Sequence, residues 1–413
     1  MNRSLKVLCR RSEAFEQAVI DSFEDYRRET GTDLQLDLHA LTLPELHGGI
    51  MRGDFDVAHV NTDWLAQGWR ENKLVDLAPL ISENPPEDYP QDYDRSMLTL
   101  QTFSDGVAGL PFHDGPECLI YRTDLFEDPE NKAAFAEKYD MELKPPRTWE
   151  EFVKVAEFFN RPEENLYGTL FALYPDGHNN IFDFSLQVFS RGADLVDETG
   201  HIVLNSPVAR EALTFYRSLI RQPFIHPESP NVESISASMV FARGEVAMMP
   251  NWFGFATMCE TVEGSRTKGK VGVTSLPVAY EGLPLISLNV YYTWSISTQS
   301  DKKQEAYDFI RFATNKHCDV RLPIIGAVGC RKSTWVDPVV NTVIPYYHCM
   351  EEIHAVAKTL PRTPIWHAVS TVIDQMVLRT INTDQAIEEI LQDAQNQIDE
   401  LEKGKISVEA LVL

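Results

Sequence analysis

Basic residues are in short supply: 37 Lys and Arg stand against 62 Asp and Glu, a formal net charge of −25. A phosphate backbone or an anionic membrane face needs a basic surface, so neither is an expected partner. Long apolar runs are missing too. No stretch approaches the ~20 apolar residues that a membrane span requires, so direct membrane insertion is not expected. The opening residues MNRSLKVLCRR have a basic start but no apolar stretch of the length a secretion signal needs. Either the chain works in the cytoplasm or a signal has been removed. The six cysteines show neither CxxC nor a zinc-type spacing. They are expected to be buried thiols, with a disulfide among Cys318, Cys330 and Cys349 left open for an oxidising compartment. GxSxG, HExxH, GxxxxGKS and a GxGxxG after the first strand are all absent, so no cofactor or metal is implied. The abundant acids leave a carboxylate-pair hydrolase open as an alternative. No internal repeat or low-complexity segment is seen.

What is present is an α/β rhythm on a chain of 413 residues, too long for one ordinary core. SLKVLCR reads as a strand. SEAFEQAVIDSFEDYRRETG reads as an amphipathic helix, with Ser12 as N-cap, Phe15, Val19 and Phe23 on one face, and Gly31 as the stop. TDLQLDLHAL alternates as a second strand, and FDVAHVN is a third, more buried one. Strands that alternate with helices imply a largely parallel sheet, whose ligands sit beyond the carboxyl ends of the strands. GVAGLPFHDGPECLIYRTDLFED is extended and apolar with no helical period, as suits a crossing between domains. KPPRTWEEFVKVAEFFN and NSPVAREALTFYRSLI each begin with a cap and a proline stop or start, at Thr148 and at Ser206–Pro207.

The stretch SMVFARGEVAMMPNWFGF runs a helix, a glycine break and a short apolar strand into Pro250, Asn251, Trp252, Phe253, Gly254 and Phe255. Aromatics at the end of a buried strand either plug a core or wall a pocket. FARGEVAMMPNWFG is similar to the F-x-x-G-x-x-A-M segment of the extracellular solute-binding proteins of ABC importers, the sugar-binding, maltose-binding-protein-like family. FDVAHVNTDWLAQGWRENKLVDLAPLI, GLPFHDGPECLIYRTDLFED, PPRTWEEFVKVA, VGVTSLPVAYEG, IIGAVGCRKS and the C-terminal PIWHAVSTVIDQMVLRTINTDQAIEEILQDAQNQI resemble further segments of that family, in its order along nearly the whole chain. Each motif alone is weak, and their shared order carries the resemblance.

The resemblance implies a periplasmic-binding-protein-like α/β fold: two α/β lobes, a hinge and a ligand cleft. Carried onto this chain, the N-terminal lobe is 1–112 plus 288–332 and the C-terminal lobe 113–287 plus 333–413. It implies capture of a small carbohydrate or sugar derivative by hinge closure, delivery to a membrane permease, a periplasmic or cell-surface location with the signal removed, and a monomer that is not an enzyme. The alternatives are a non-sugar ligand on the same fold, either an acidic small molecule or a ferric ion held by tyrosines such as Tyr291 and Tyr292 or Tyr346 and Tyr347, and a glycan-active enzyme.

A sugar presents apolar C–H faces and a rim of hydroxyls, so it calls for flat aromatics beside short polar groups. Trp252 and Trp366 match the family's stacking positions. Asp63 falls where the family places a hydroxyl-binding acid, with Trp64 beside it; a helix N-cap is its structural alternative. The crossing offers His113, Asp114 and Glu117, a turn residue beside Gly115 being the other reading of Asp114. In SLNVYYTWSIS, strand alternation groups Asn289 with Tyr291 and sets them toward the ligand. Arg11 and Ser12 follow the first strand, LYPDGHNN places Tyr174, Asp176 and Asn180 on a loop from which one is expected to reach the ligand, and Arg331 in GCRKS is suited to a bidentate contact with an acidic ligand.

Overall fold

The computed structural model describes residues 3–404. In chain order the strands are β1 (Ser4–Arg10), β2 (Gln35–Leu41), β3 (Val57–Asn61), β4 (Thr102–Phe103), β5 (Gly106–Val107), β6 (Leu110–His113), β7 (Glu117–Arg122), β8 (Tyr167–Thr169), β9 (Val246–Trp252), β10 (Val271–Thr274), β11 (Ser287–Leu288), β12 (Tyr292–Ile296) and β13 (Ala357–Lys358). They fall into two compact units. Unit 1 takes the chain up to Gly115, then Asn289–His354 and Arg362–Pro364; unit 2 takes Pro116–Leu288, Ala355–Pro361 and the chain from Ile365 onward.

Unit 1 is built on a sheet of order β2-β1-β3-β12-β6. β1, β2 and β3 are parallel, and β12 runs antiparallel to both of its neighbours. Every residue of β3 is buried, His59 and Asn61 included, as suits a central strand covered on both faces. The helix Glu13–Thr30 covers one face through Phe15, Val19 and Phe23. It ends where expected, at Gly31 with φ of 68°, a left-handed conformation that glycine takes without strain. Ser12 occupies the N-cap position but makes no capping bond with its side chain.

Unit 2 carries a sheet of order β13-β11-β7-β9-β8, with β10 also paired to β7. Thr148 and Glu151 close a capping box on the helix Trp149–Phe158, and the Ser206 hydroxyl accepts the Ala209 N–H on the helix Pro207–Ile220. These are the terminators visible in the sequence.

Two details differ from the motif-based division. The first crossing falls at Gly115–Pro116 rather than after Phe112, and Gly115 adopts φ of 134°, open to glycine alone at low cost. The segment 333–354, expected in the second lobe, belongs to unit 1. Its start is tied there by Ser333, whose N–H and hydroxyl both donate to Asp92, and further along the Tyr347 hydroxyl accepts the Gly329 N–H. The run SLNVYYTWSIS is likewise split: β11 stays in unit 2, β12 lies in unit 1, and Asn289–Tyr291 is the link. A single strand alternation therefore does not govern it.

Candidate functional site

In unit 1, β1, β3 and β6 end at one edge of the sheet, where the antiparallel β12 begins: Tyr292 pairs with Asn61 on one side and His113 on the other. This edge gathers Arg11, Ser12, Asp63, Asp114 and Asn289. Asp63 sits in the single turn Thr62–Trp64, whose N-cap is Asn61, so capping is not its role. The Asn289 side chain is 1% exposed, and both of its amide atoms lack a hydrogen-bond partner.

Asp114 is the most organised member. Its Oδ2 lies 2.6 Å from His354 Nε2, with both side chains fully buried. His354 Nδ1 lies 3.2 Å from Ser96 Oγ, and that hydroxyl donates to Asp94 at 2.6 Å. The Trp335 indole stacks on the imidazole at 4.8 Å and 9°. One carboxylate oxygen of Asp114 is thereby fixed, while its Oδ1 has no partner.

Four further sequence candidates in unit 1 have structural duties instead. Tyr291 is buried and its hydroxyl is engaged by the Met97 carbonyl and by Gln101 Oε1, both at 2.9 Å. Trp64 packs into the core edge-on to His47. His113 accepts the Val328 N–H at Nδ1 (3.1 Å) and rests on Phe15; burial, with help from the Arg10 charge, pushes its pKa down to about 3. Arg331 is wholly buried: it donates to Asp92 Oδ2 (2.7 Å), to the Tyr93 hydroxyl and to the Thr314 carbonyl. Its Nη2 has no hydrogen-bond partner and lies 3.6 Å from Asp88, but no part of the residue is exposed. Arg11 is exposed and directed to the Ala40 carbonyl and Glu45.

In unit 2, Trp252 ends β9 directly opposite Glu117. Its ring meets Phe182 edge-on at 4.9 Å. Phe182 lies on the helix Asn179–Phe189, which also presents Asn180 and Asp183. Asn180 Nδ2 donates to Asp374 Oδ1 at 3.0 Å, leaving Asn180 Oδ1 without a partner. The Tyr216 hydroxyl donates to Asp183 Oδ2 at 2.5 Å. Trp366 begins the helix Trp366–Asn382, is 1% exposed, and its indole N–H has no partner; Asp374 follows two turns later. Tyr174, by contrast, is about half exposed on its loop.

Electrostatically, Glu117 and Asp183 stand apart. Burial pushes Glu117 well above the ordinary carboxyl range, and the Asp183 charge adds to this. Burial likewise raises Asp183 to about 7, against the hydrogen bond from Tyr216. Glu117 Oε2 is buried with no partner. Asp374 is raised by burial as well.

The sequence offers Glu117 beside His113 and Asp114, and Asn180 on a loop, but Asp183, Asp374 and His354 are not among its candidates. Asn180 lies in the first turn of the helix Asn179–Phe189 rather than on a loop, and Asp183 follows it at helical spacing. His354 offered no signal, because it meets Asp114 across 240 positions of sequence. All six cysteines are free thiols, five of them buried. Among the described residues one histidine–carboxylate group, His226, Glu228 and Glu245, is close enough to hold a cation. Arg243 Nη2 bonds both of its carboxylates, so one positive charge already serves the pair.

Two α/β units, linked by several chain crossings and with polar groups and indoles gathered at strand ends, define the two-lobed periplasmic-binding-protein fold. Residues 15–316 match the family described as bacterial extracellular solute-binding protein, and the chain belongs to it. It is 25% identical over 328 residues, 78% of this chain and 73% of the other, to a probable ABC transporter-binding protein of Deinococcus radiodurans. The ribitol complex of an ABC transporter solute-binding protein from Agrobacterium radiobacter K84 is similar in structure, with a TM-score of 0.84 at 22% identity, covering 97% of this chain and 98% of that one. Maltose-bound MalE3 of T. maritima superposes at a TM-score of 0.81 with 20% identity, covering 96% of this chain and 100% of its own. At these identities the two structures speak for the fold.

Proposed function

We propose that this chain is the substrate-binding component of an ABC importer and captures a small carbohydrate or polyol by hinge closure. The observation that carries the reading is the set of buried polar atoms without partners: the Asn289 amide and Asp114 Oδ1 in unit 1, and Glu117 Oε2, Asn180 Oδ1 and Trp366 Nε1 in unit 2. Burying a polar group without a hydrogen bond costs about 1–3 kcal/mol, so in each unit these open atoms call for hydroxyl partners. Trp252 and Trp366 add the flat apolar surfaces that sugar C–H faces require. The ribitol and maltose found on structural relatives support the same class.

The partner is the importer's membrane permease, and membership of an extracellular family supports a periplasmic or cell-surface location. A monomer with no nucleic-acid partner fits the charge of −25. The family is one of transport proteins. A glycosidase keeps one carboxylate ionised beside its acid, whereas burial raises both Glu117 and Asp183, which favours binding without catalysis. An acidic ligand is disfavoured because Arg331 is wholly buried in unit 1 with its Nε and Nη1 engaged.

The test is a thermal-shift screen against sugars, polyols, sugar acids and neutral controls, followed by small-angle scattering. A ligand that binds only the folded state raises the melting temperature by mass action. A shift confined to sugars or polyols, with compaction on binding, is expected. No shift across the panel, or a shift with sugar acids alone, overturns the reading.

A further inference from the structure

The polar complement gathered in unit 2 is one-signed. Glu117 comes from β7, Asp183 from the helix Asn179–Phe189 and Asp374 from the helix Trp366–Asn382, while the helix Pro207–Ile220 contributes the Tyr216 hydroxyl. Asp176, on the loop before the first of these helices, is raised by burial with the Asp374 charge adding to it. Among the described residues no Lys, Arg or His charge acts on Glu117, Asp183 or Asp374. Glu117 is 4% exposed and Asn180 fully buried, yet Glu117 Oε2 and Asn180 Oδ1 have no partner. Each is an acceptor left open, and Trp252 stands directly across the ladder from Glu117.

A buried carboxyl pair needs a counter-charge or must keep a proton. Among the described residues no positive charge acts on Glu117 or Asp183. We propose that the Glu117–Asp183 pair is the seat of a protonated amine on the ligand, so that this chain takes a hydroxyl-rich solute carrying an ammonium group, of the amino-sugar or amino-polyol class. The inference rests on the carbohydrate-binding reading above and narrows its substrate class. An ammonium offers donors to Glu117 Oε2 and Asn180 Oδ1, and aromatic faces such as Trp252 attract it. As the ammonium enters, the proton held by the carboxyl pair leaves to solvent, and the pair becomes the counter-ion. A neutral polyol sets up no such exchange.

Isothermal titration at pH 7 with two matched pairs tests this: sorbitol against 1-amino-1-deoxysorbitol, and glucose against glucosamine. The expected result is that the amine binds at least about tenfold tighter than its neutral counterpart in one pair or both, the worth of one good charge-assisted contact. Repeating the titration in buffers of different ionisation enthalpy should then show proton release on binding the amine. Glu117→Gln and Asp183→Asn, each checked for a native melting transition, should bring the amine-to-neutral affinity ratio toward one. If the neutral member binds as tightly as the amine, or the amine binds without proton release, the inference falls while the carbohydrate reading stands. If no member of either pair binds and the wider sugar screen is also blank, both fall.

Discussion

Asp114 and His354 meet at 2.6 Å with neither side chain exposed, although 240 positions of sequence separate them. The contact holds one carboxylate oxygen and leaves the other free at the end of β6. His354 thus orients the acid through Ser96, Asp94 and the stacked Trp335 rather than by touching a ligand itself.

Replacing His354 by Ala strands a buried carboxylate. Leaving a buried polar group without its hydrogen-bond partner costs about 1–3 kcal/mol, so urea unfolding of His354→Ala should move by that order. His354→Gln, which can still donate to Asp114, should recover part of the loss. Equal stability of Ala and Gln variants would deny the orienting contact.

Trp252→Ala tests the stacking surface in unit 2. A ring that covers a sugar face is worth about 2 kcal/mol or more on truncation, so affinity for the solute identified by thermal shift should drop at least about thirtyfold. Unchanged affinity in a folded variant would return Trp252 to the role of packing partner for Phe182.

Arg331 makes the opposite prediction. Its guanidinium bonds Asp92, Tyr93 and Thr314 inside unit 1, so Arg331→Met should cost about 3 kcal/mol of stability through the uncompensated Asp92. Affinity should be unaltered in the variant that remains folded at low temperature. A selective loss of affinity with native stability would restore the residue to the binding surface.

The pH profile carries a signature of buried neutral histidines. His113 is pushed from 6.5 down to about 3, and burial drives His59 well below its ordinary value too. The unfolded chain therefore binds more protons than the folded one between about pH 6.5 and pH 3. The contribution is intact above pH 6.5 and is lost as pH falls through that window, by about 1.4 kcal/mol per pH unit for each proton. Asp183, raised to about 7, acts in the opposite sense: its contribution is intact below pH 3.8 and is lost as pH rises toward 7. Chemical unfolding across pH 4–7 should thus be steeper in pH for Asp183→Asn than for the parent chain. A profile that does not change on this substitution would contradict the raised carboxyl.

Much of the local structure was legible in residues. Helix caps at Thr148 and Ser206, the stop at Gly31 and the buried character of β3 follow from propensity and period, which act over a few neighbours. The order of segments along the chain also sufficed for the family, since that order reflects which strands the chain must visit in turn. The sequence determined, through these local terms, that the protein is a two-unit α/β binder with indoles at strand ends. Only the tertiary structure decided which polar groups are spent and which remain open. Tyr291 and Arg331 looked available and are consumed by Gln101 and Asp92, while Glu117, Asp183 and His354 acquire their character from partners far away in the chain. Burial and long-range pairing set that difference, and neither is a property of a residue and its neighbours in sequence.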